Sequence, residues 1–125
     1  MSNRKEGSTV WYIPDGFIPV KSSGNLESHE AICVLNCNEQ DAETQVTVYF
    51  EDQEPIENIQ VLVQGKRTKH IRTDWLDGSG RKIPKGVPYA LRLESNLPVI
   101  VQFSRMDATQ AENTLMTTMA YPAEQ

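Results

Sequence analysis

The sequence is poor in cysteine and lacks long apolar runs. Cys33 and Cys37 are the two cysteines among 125 residues, which is too few for a disulfide framework, and no N-x-S/T sequon occurs. No stretch approaches the roughly 20 consecutive apolar residues of a spanning helix, and the first residues hold no apolar run of signal-peptide length. These absences argue against a disulfide-rich secreted scaffold and predict a soluble, cytoplasmic protein.

Positive charge is also scarce. Twelve Lys and Arg against seventeen Asp and Glu give a net charge of −5 at pH 7, which disfavours generic binding to nucleic-acid phosphates. Four of the twelve nevertheless lie in "KRTKHIR", residues 66–72, so the rest of the chain sums to −5 − 4 = −9. On the residues alone, the stretch is a nucleic-acid patch, a clamp for a small anion or, by preference, a solvated edge strand.

Catalytic motifs are missing as well. No G-x-S-x-G, P-loop or dinucleotide-binding glycine pattern occurs. Ser28, His29 and Glu30 cannot form a relay on a strand, because adjacent side chains point to opposite faces. We therefore expect no catalytic site, and the remaining alternative is a hydrolase or isomerase built from His70, Glu30 and Asp107.

A metal site is the alternative use of His29, Cys33 and Cys37, since His and Cys are zinc ligands. Four residues along an extended strand separate two side chains by on the order of 13 Å, which is too far for one metal ion. The sequence therefore predicts structural thiols, with no metal and no cofactor.

Strand signals dominate the chain. In "TQVTVYFE", Val46, Val48 and Phe50 alternate with polar residues, which predicts a strand with one buried face. Similar runs separated by turn signals such as "SNLP" predict eight strands: 10–13, 30–36, 44–51, 58–64, 68–73, 89–94, 99–105 and 114–121. We predict an all-β, single-domain β-sandwich of mostly antiparallel strands over 1–125, with flexible ends at about 1–8 and 122–125. Residues 107–113 are the one candidate for a short helical turn.

Two polar clusters are candidate sites. A strand over 68–73 places Thr68, His70 and Arg72 on one face, and it turns the face with Ile71 and Trp75 inward. The second cluster, "SRMDATQAEN", follows an apolar strand and is either a binding loop or a capped helical turn. Its polar residues are Arg105, Asp107, Gln110, Glu112 and Asn113.

Aromatic residues are few, at 7% of the chain. Trp11 and Trp75 are candidates for an aromatic platform that stacks on a sugar or base. Because Trp11 stands in the first strand beside Tyr12, packing in the core or in a subunit interface is the favoured role for Trp11.

Four segments together are similar to the sensory rhodopsin transducer family. They are "WYIPDGFIP", "SHEAICVLN" followed by "VTVYFEDQEPI", then "RTKHIRTDWL", and "SNLPVIVQFSRMDATQAENTLMTTMAY", and they run from Trp11 to Tyr121. The resemblance implies a small cytoplasmic β-sandwich that assembles as a homotetramer. It also implies that one member of the family has a photosensory rhodopsin as its partner and has been proposed to act onward on DNA. Other relatives occur without a rhodopsin, and the family fold is similar to that of carbohydrate-binding sandwiches. The turn "LDGSGRKIPKGVP" and the loop "KSSGNLE" depart from the family example.

The combined prediction is a non-catalytic binding or signal-transducing protein that recognises a partner protein or a small acidic ligand. Charge-assisted hydrogen bonds from basic side chains would carry that recognition. The alternatives are a carbohydrate-binding module and a DNA-binding regulator. The predicted binding residues are Arg67, Thr68, His70, Arg72, Arg105, Asp107, Gln110, Glu112 and Asn113.

Overall fold

A computed structural model describes residues 6–21, 27–109 and 114–123. These residues form eight strands and one turn of 3-10 helix, Thr73–Trp75, which confirms the predicted all-β class. The strands are β1 (Ser8–Gly16), β2 (His29–Asn36), β3 (Ala42–Phe50), β4 (Ile56–Val63), β5 (Arg67–Arg72), β6 (Tyr89–Asp107), β7 (Thr114–Met119) and β8 (Tyr121–Pro122). Ser8 and Pro122, which the prediction places in flexible ends, belong to β1 and β8.

The long strand β6 belongs to two antiparallel sheets. Its first part, residues 89–95, pairs with β3 and β1, and the first sheet has the order β4-β3-β6-β1-β8. Its last part, residues 100–107, pairs with β2 and β7, and the second sheet has the order β5-β2-β6-β7. Strands β4 and β5 each pair with one strand within the described part of the chain, so the sheet is not closed there.

The core lies between the inward faces of the two sheets. Every second residue of β6 points inward, and Leu91, Leu93, Val99, Val101 and Phe103 are all buried. Ile32 and Val34 from β2 and Val46 and Val48 from β3 complete the centre of the core. Each such side chain contributes roughly 1.5–3 kcal/mol when it is fully buried, so these positions hold the two sheets together.

The prediction of a turn at "SNLP" is wrong, because β6 passes through it as strand. The ladder is replaced there by side-chain bonds: Asn96 Oδ1 accepts from the Glu43 amide at 2.8 Å, and Ser95 Oγ accepts from the Leu97 amide at 3.3 Å. Pro98 has no amide hydrogen to leave unpaired. The turn-forming residues therefore mark the place where β6 passes from the first sheet to the second.

Three other predictions differ from the structure. The predicted strand 114–121 divides into β7 and β8, and buried Ala120 lies between them with its amide bonded to Val101 O at 3.2 Å. Trp75 does not continue the inward face of β5, because the 3-10 turn interrupts the alternation, and the residue is 66% exposed. Asp107 ends β6 rather than beginning a helix, and 110–113 lie outside the described residues.

Candidate functional site

A buried carboxylate lies at the centre of the candidate site. Glu30 on β2 is 1% exposed and stands directly opposite Arg105 on β6. Arg105 Nε donates to Glu30 Oε2, Tyr89 Oη donates to Oε1, and the Phe17 amide donates to Oε1 at 2.9 Å. Three donors from three parts of the chain therefore compensate one buried acid, as the burial of a charge requires.

The protonation of this centre follows from its burial. Burial raises the pKa of Glu30, and the hydrogen bonds from Tyr89, Arg105 and Phe17 oppose that rise without cancelling it. Burial and the neighbouring Glu30 carboxylate also raise the pKa of Tyr89. Tyr89 therefore keeps its proton and remains a donor to Glu30, and Thr73 Oγ1 lies 2.8 Å from the Tyr89 oxygen.

Arg105 extends from this centre to a cleft of about 550 Å³ between the two sheets, here named the Arg105 cleft. Its walls come from β1, β6, β7 and β8. Asp15 and Thr118 add polar groups to the lining, Tyr12 and Tyr121 add aromatic rings, and Met116 adds apolar surface. The Arg105 side chain is 29% exposed, and Glu30 is its one carboxylate partner among the residues that the structure describes.

Asp107, the next inward residue of β6 after Arg105, is engaged in its own turn. Its Oδ1 accepts from the Thr109 amide at 2.9 Å and from Thr109 Oγ1 at 2.7 Å, and these bonds lower the pKa of Asp107. Gln110, Glu112 and Asn113, the other predicted residues of this cluster, lie outside the described residues.

The predicted basic strand forms a separate surface. Arg67, Thr68 and His70 are exposed on β5, whereas Arg72 is occupied: it binds Asp74 at 3.0 and 2.7 Å and Glu27 at 3.4 Å. The Arg72 guanidinium also lies 4.6 Å from the centre of the Trp75 ring. The hydrogen bonds that Arg72 donates to the Asp74 carboxylate are the main cause of its raised pKa.

The two predicted clusters do not combine into one site. Arg72 stands opposite Ala31, and Arg105 stands opposite Glu30, the residue before Ala31. Neighbouring residues on a strand point to opposite faces, so Arg72 lies on the outer face of the second sheet and Arg105 on its inner face.

The two tryptophans of the predicted aromatic platform also lie in different environments, one buried and one exposed. Trp11 is 5% exposed, and its Nε1 donates to Val99 O at 2.9 Å and to Ser8 O at 3.0 Å. It is therefore a core residue, as favoured from the sequence. Trp75 is exposed, and the Arg72 guanidinium already stacks on one face of its ring.

Glu30 and Tyr89 are the residues of the centre that the predicted binding set omits. A usable signal was present for Glu30, since strand alternation places it on the same face as Ile32 and Val34. An acid on an otherwise apolar face needs a buried partner. The sequence holds no comparable signal for Tyr89, which reaches Glu30 from 59 residues away.

The described residues contain neither a cluster of metal ligands nor a membrane-spanning helix. Across 6–21, 27–109 and 114–123, no group of three or more His, Cys, Asp or Glu side chains is placed to hold a metal ion. That part of the chain also contains no helix with the length and apolar character needed to cross a membrane.

Comparisons with known proteins give a consistent family assignment. A crystal structure of Thermotoga maritima 1070 is 39% identical, with a TM-score of 0.83, and the match covers 94% of this chain and 97% of that one. The structure of the Anabaena sensory rhodopsin transducer is 37% identical, with a TM-score of 0.74 and coverage of 87% and 96%. No curated protein sequence matches. The family model described as Anabaena sensory rhodopsin transducer matches residues 6–122, and the chain therefore belongs to that family.

Proposed function

We propose that the chain is a non-catalytic, cytoplasmic binding protein that transmits a signal, and that the Arg105 cleft receives an acidic group of a ligand or partner. The observation that carries this proposal is the Arg105 guanidinium in the cleft, whose Nε is bound to buried Glu30. The two terminal nitrogens have no partner among the described residues, and each can donate to one oxygen of a carboxylate or phosphate.

The buried centre makes Arg105 a suitable recognition group. Glu30 is itself held by Tyr89 and Phe17, so the guanidinium is oriented before a ligand arrives and less ordering entropy is lost on binding.

The test is an NMR titration of backbone amide shifts with acetate and inorganic phosphate. We expect shifts concentrated at β7 and at the end of β6, and we expect their loss in Arg105→Gln. Arg81→Gln is the matched control, because Arg81 is exposed and bonds to the backbone oxygens of Glu54 and Pro55. Shifts that are absent from the cleft, or unchanged in Arg105→Gln, would contradict the proposal.

A carbohydrate ligand is the second candidate, because Tyr12 and Tyr121 line the same cleft and Tyr121 is 65% exposed. Glucose titrated in the same experiment distinguishes it: shifts that persist at high salt and disappear in Tyr121→Ala favour a sugar. A DNA-binding role has less support, since Arg72 is already paired and the chain is acidic.

The partner class follows from the name of the relative, a sensory rhodopsin transducer. We propose a sensory rhodopsin or another membrane-bound signalling protein as partner. Co-elution with detergent-solubilised Anabaena sensory rhodopsin, with the Anabaena transducer as positive control, tests the first choice.

A homotetramer is the proposed assembly, and the outer face of the second sheet supports it. Leu35 on β2 and Leu115 and Met119 on β7 are 40%, 66% and 56% exposed on that face, although they are large and apolar. Met119→Glu should reduce the mass measured by light scattering, whereas Tyr49→Glu, an exposed change on the other sheet, should not. An unchanged mass in Met119→Glu would exclude this face as the interface.

A further inference from the structure

A groove runs between the edge strands β4 and β5, on a different part of the surface from the Arg105 cleft. Two cavities of about 550 and 300 Å³ lie along it, and both are lined by Leu62 and Lys69. Lys69 Nζ separates them by donating to Leu62 O at 3.1 Å. The two cavities are therefore parts of one groove between β4 and β5. The flexible Lys69 side chain crosses this groove.

The groove is narrow and fixed at one end. The chain passes from β4 to β5 through a turn in which the Gly65 amide donates to Asp41 Oδ1 at 2.9 Å and the Lys66 amide donates to Asn38 O at 3.0 Å. A Cβ atom on Gly65 would lie 2.1 Å from Glu39 O, so this close approach requires glycine. The groove opens toward Trp75, which is exposed at its wide end.

Both walls are strand edges with an unused side. Strand β4 pairs with β3, strand β5 pairs with β2, and neither has a second neighbour among the described residues. The inner face of the edges is apolar, with Ile59, Val61 and Ile71 lining the wide part. An extended peptide that adds to such an edge gains main-chain hydrogen bonds and side-chain contacts together.

The charges along β5 indicate which kind of peptide would fit the groove. Arg67 and Lys69 share the inner face of β5 with Ile71, and neither cation has a carboxylate partner in the described part of the chain. His70 lines the wide part of the groove as well. Asp77 is the one acid among the described residues that line the two cavities, so this surface is basic in a chain of net charge −5 and complementary to an acidic strand.

We propose that the β4–β5 groove binds an extended acidic segment of a partner protein by strand addition to β5. Because strand side chains alternate, the segment presents acids at two positions two residues apart, opposite Arg67 and Lys69, and an apolar residue two positions further, opposite Ile71. Lys69 moves from Leu62 O to the incoming carboxylate. This proposal does not depend on ligand binding in the Arg105 cleft.

The test is fluorescence anisotropy with a labelled synthetic peptide in which glutamate and threonine alternate between two terminal isoleucines, so that either strand direction presents the motif. We expect binding that weakens by about tenfold or more in Arg67→Glu and in Lys69→Glu, which replace attraction by repulsion. Lys82→Glu is the matched control, because Lys82 is exposed and outside the groove. Circular dichroism verifies the fold of each variant.

Two further measurements separate strand addition from simple charge attraction. A peptide methylated on alternate backbone nitrogens should fail to bind, because it cannot donate the main-chain hydrogen bonds that pair it with β5. Binding should also shift the emission of Trp75, which the Trp75→Phe variant isolates from the buried Trp11.

Three results would overturn the proposal: no binding of the glutamate peptide, equal binding of the methylated peptide, or equal binding of a lysine peptide. A change of oligomeric state in Arg67→Glu, measured by light scattering, would also overturn it by showing that a second copy of the chain occupies the groove. The phosphate titration of the Arg105 cleft is a separate measurement, and its outcome does not depend on any of these results. A failure of the groove proposal can therefore be distinguished from a failure of the cleft proposal.

Discussion

Arg72 and Arg105 lie on opposite faces of one sheet, and each is bound to a carboxylate. Arg105 uses only Nε for that bond, whereas Arg72 uses Nε and one terminal nitrogen. Arg72 binds Asp74 and Glu27 and stacks on Trp75, all in partly exposed positions. Arg105 binds Glu30, which is 1% exposed, through Nε. The comparison teaches that burial of the carboxylate, rather than the number of charges nearby, decides how much each pair affects stability and binding.

The largest expected effect is on the buried pair. Arg105→Met leaves Glu30 buried without its cation and should lower the free energy of unfolding by about 3 kcal/mol. Arg72→Met, the matched change at the exposed pair, should cost about 1 kcal/mol or less. Urea unfolding followed by circular dichroism, at fixed protein concentration, measures both.

A double variant checks the physical reason for that difference. Glu30→Gln combined with Arg105→Met removes the buried charge as well as its partner, so it should be more stable than Arg105→Met alone. If the double variant is less stable than the single one, an unpaired buried charge is not the cause.

Tyr89→Phe should have the next largest effect. The change deletes one donor to Glu30 and leaves Arg105 and the Phe17 amide in place, which should cost about 1.5 kcal/mol. Tyr49→Phe is the control, since Tyr49 is 39% exposed, and its stability should change by less than about 0.5 kcal/mol. Equal effects of the two changes would show that the hydrogen bond from the Tyr89 hydroxyl to Glu30 does not stabilise the fold.

A pH dependence follows from Glu30. Its pKa in the folded protein is raised above the ordinary 4.5, so between the two values the folded state binds more protons than the unfolded state. The free energy of unfolding contributed by this group therefore falls as pH rises through that window, by about 1.4 kcal/mol for each unit by which the pKa is raised.

Urea unfolding at several pH values above 4.5 measures this dependence, and Glu30→Gln should flatten it. The range lies above the titration of Asp107, whose lowered pKa contributes with the opposite sign at more acidic pH. A pH profile that is the same in Glu30→Gln and in the wild type would contradict the assignment.

The smallest expected effect is at the exposed pair. Trp75→Ala removes the ring on which Arg72 stacks and should cost about 0.5–1 kcal/mol, whereas Trp75→Phe keeps a ring and should cost less. Urea midpoints of the two variants give the difference. A loss for Trp75→Ala as large as that for Arg105→Met would remove the distinction between the two arginines.

Period-two alternation in the sequence predicted the fold class and most strands correctly. It also contained more information than the prediction used: apart from Ser95, every second position from Tyr89 to Phe103 is apolar, and the series resumes in phase at Leu97 within "SNLP". The local turn signal was given preference over that pattern. A turn signal inside an alternation that keeps its phase on both sides is better explained by a bend in one strand.

The predicted binding residues were only partly brought together. Alternation was sufficient to place Thr68, His70 and Arg72 on one face. It could not show that the Arg72 guanidinium forms ion pairs with Asp74 and Glu27 and stacks on Trp75. Glu27 is 45 residues away in sequence, and a contact over that distance depends on sheet pairing. The same limit applies to Glu30 and Tyr89.

The sequence by itself determined the strand content, the inward and outward faces of most strands and the acidic charge of the chain, because these depend on neighbouring residues and composition. Only the tertiary structure decided that β6 joins two sheets, that Glu30 is buried against Arg105 and Tyr89, and that β4 and β5 border an open groove. Each of these features depends on register between strands far apart in the chain, and register is set by the packing of the whole core.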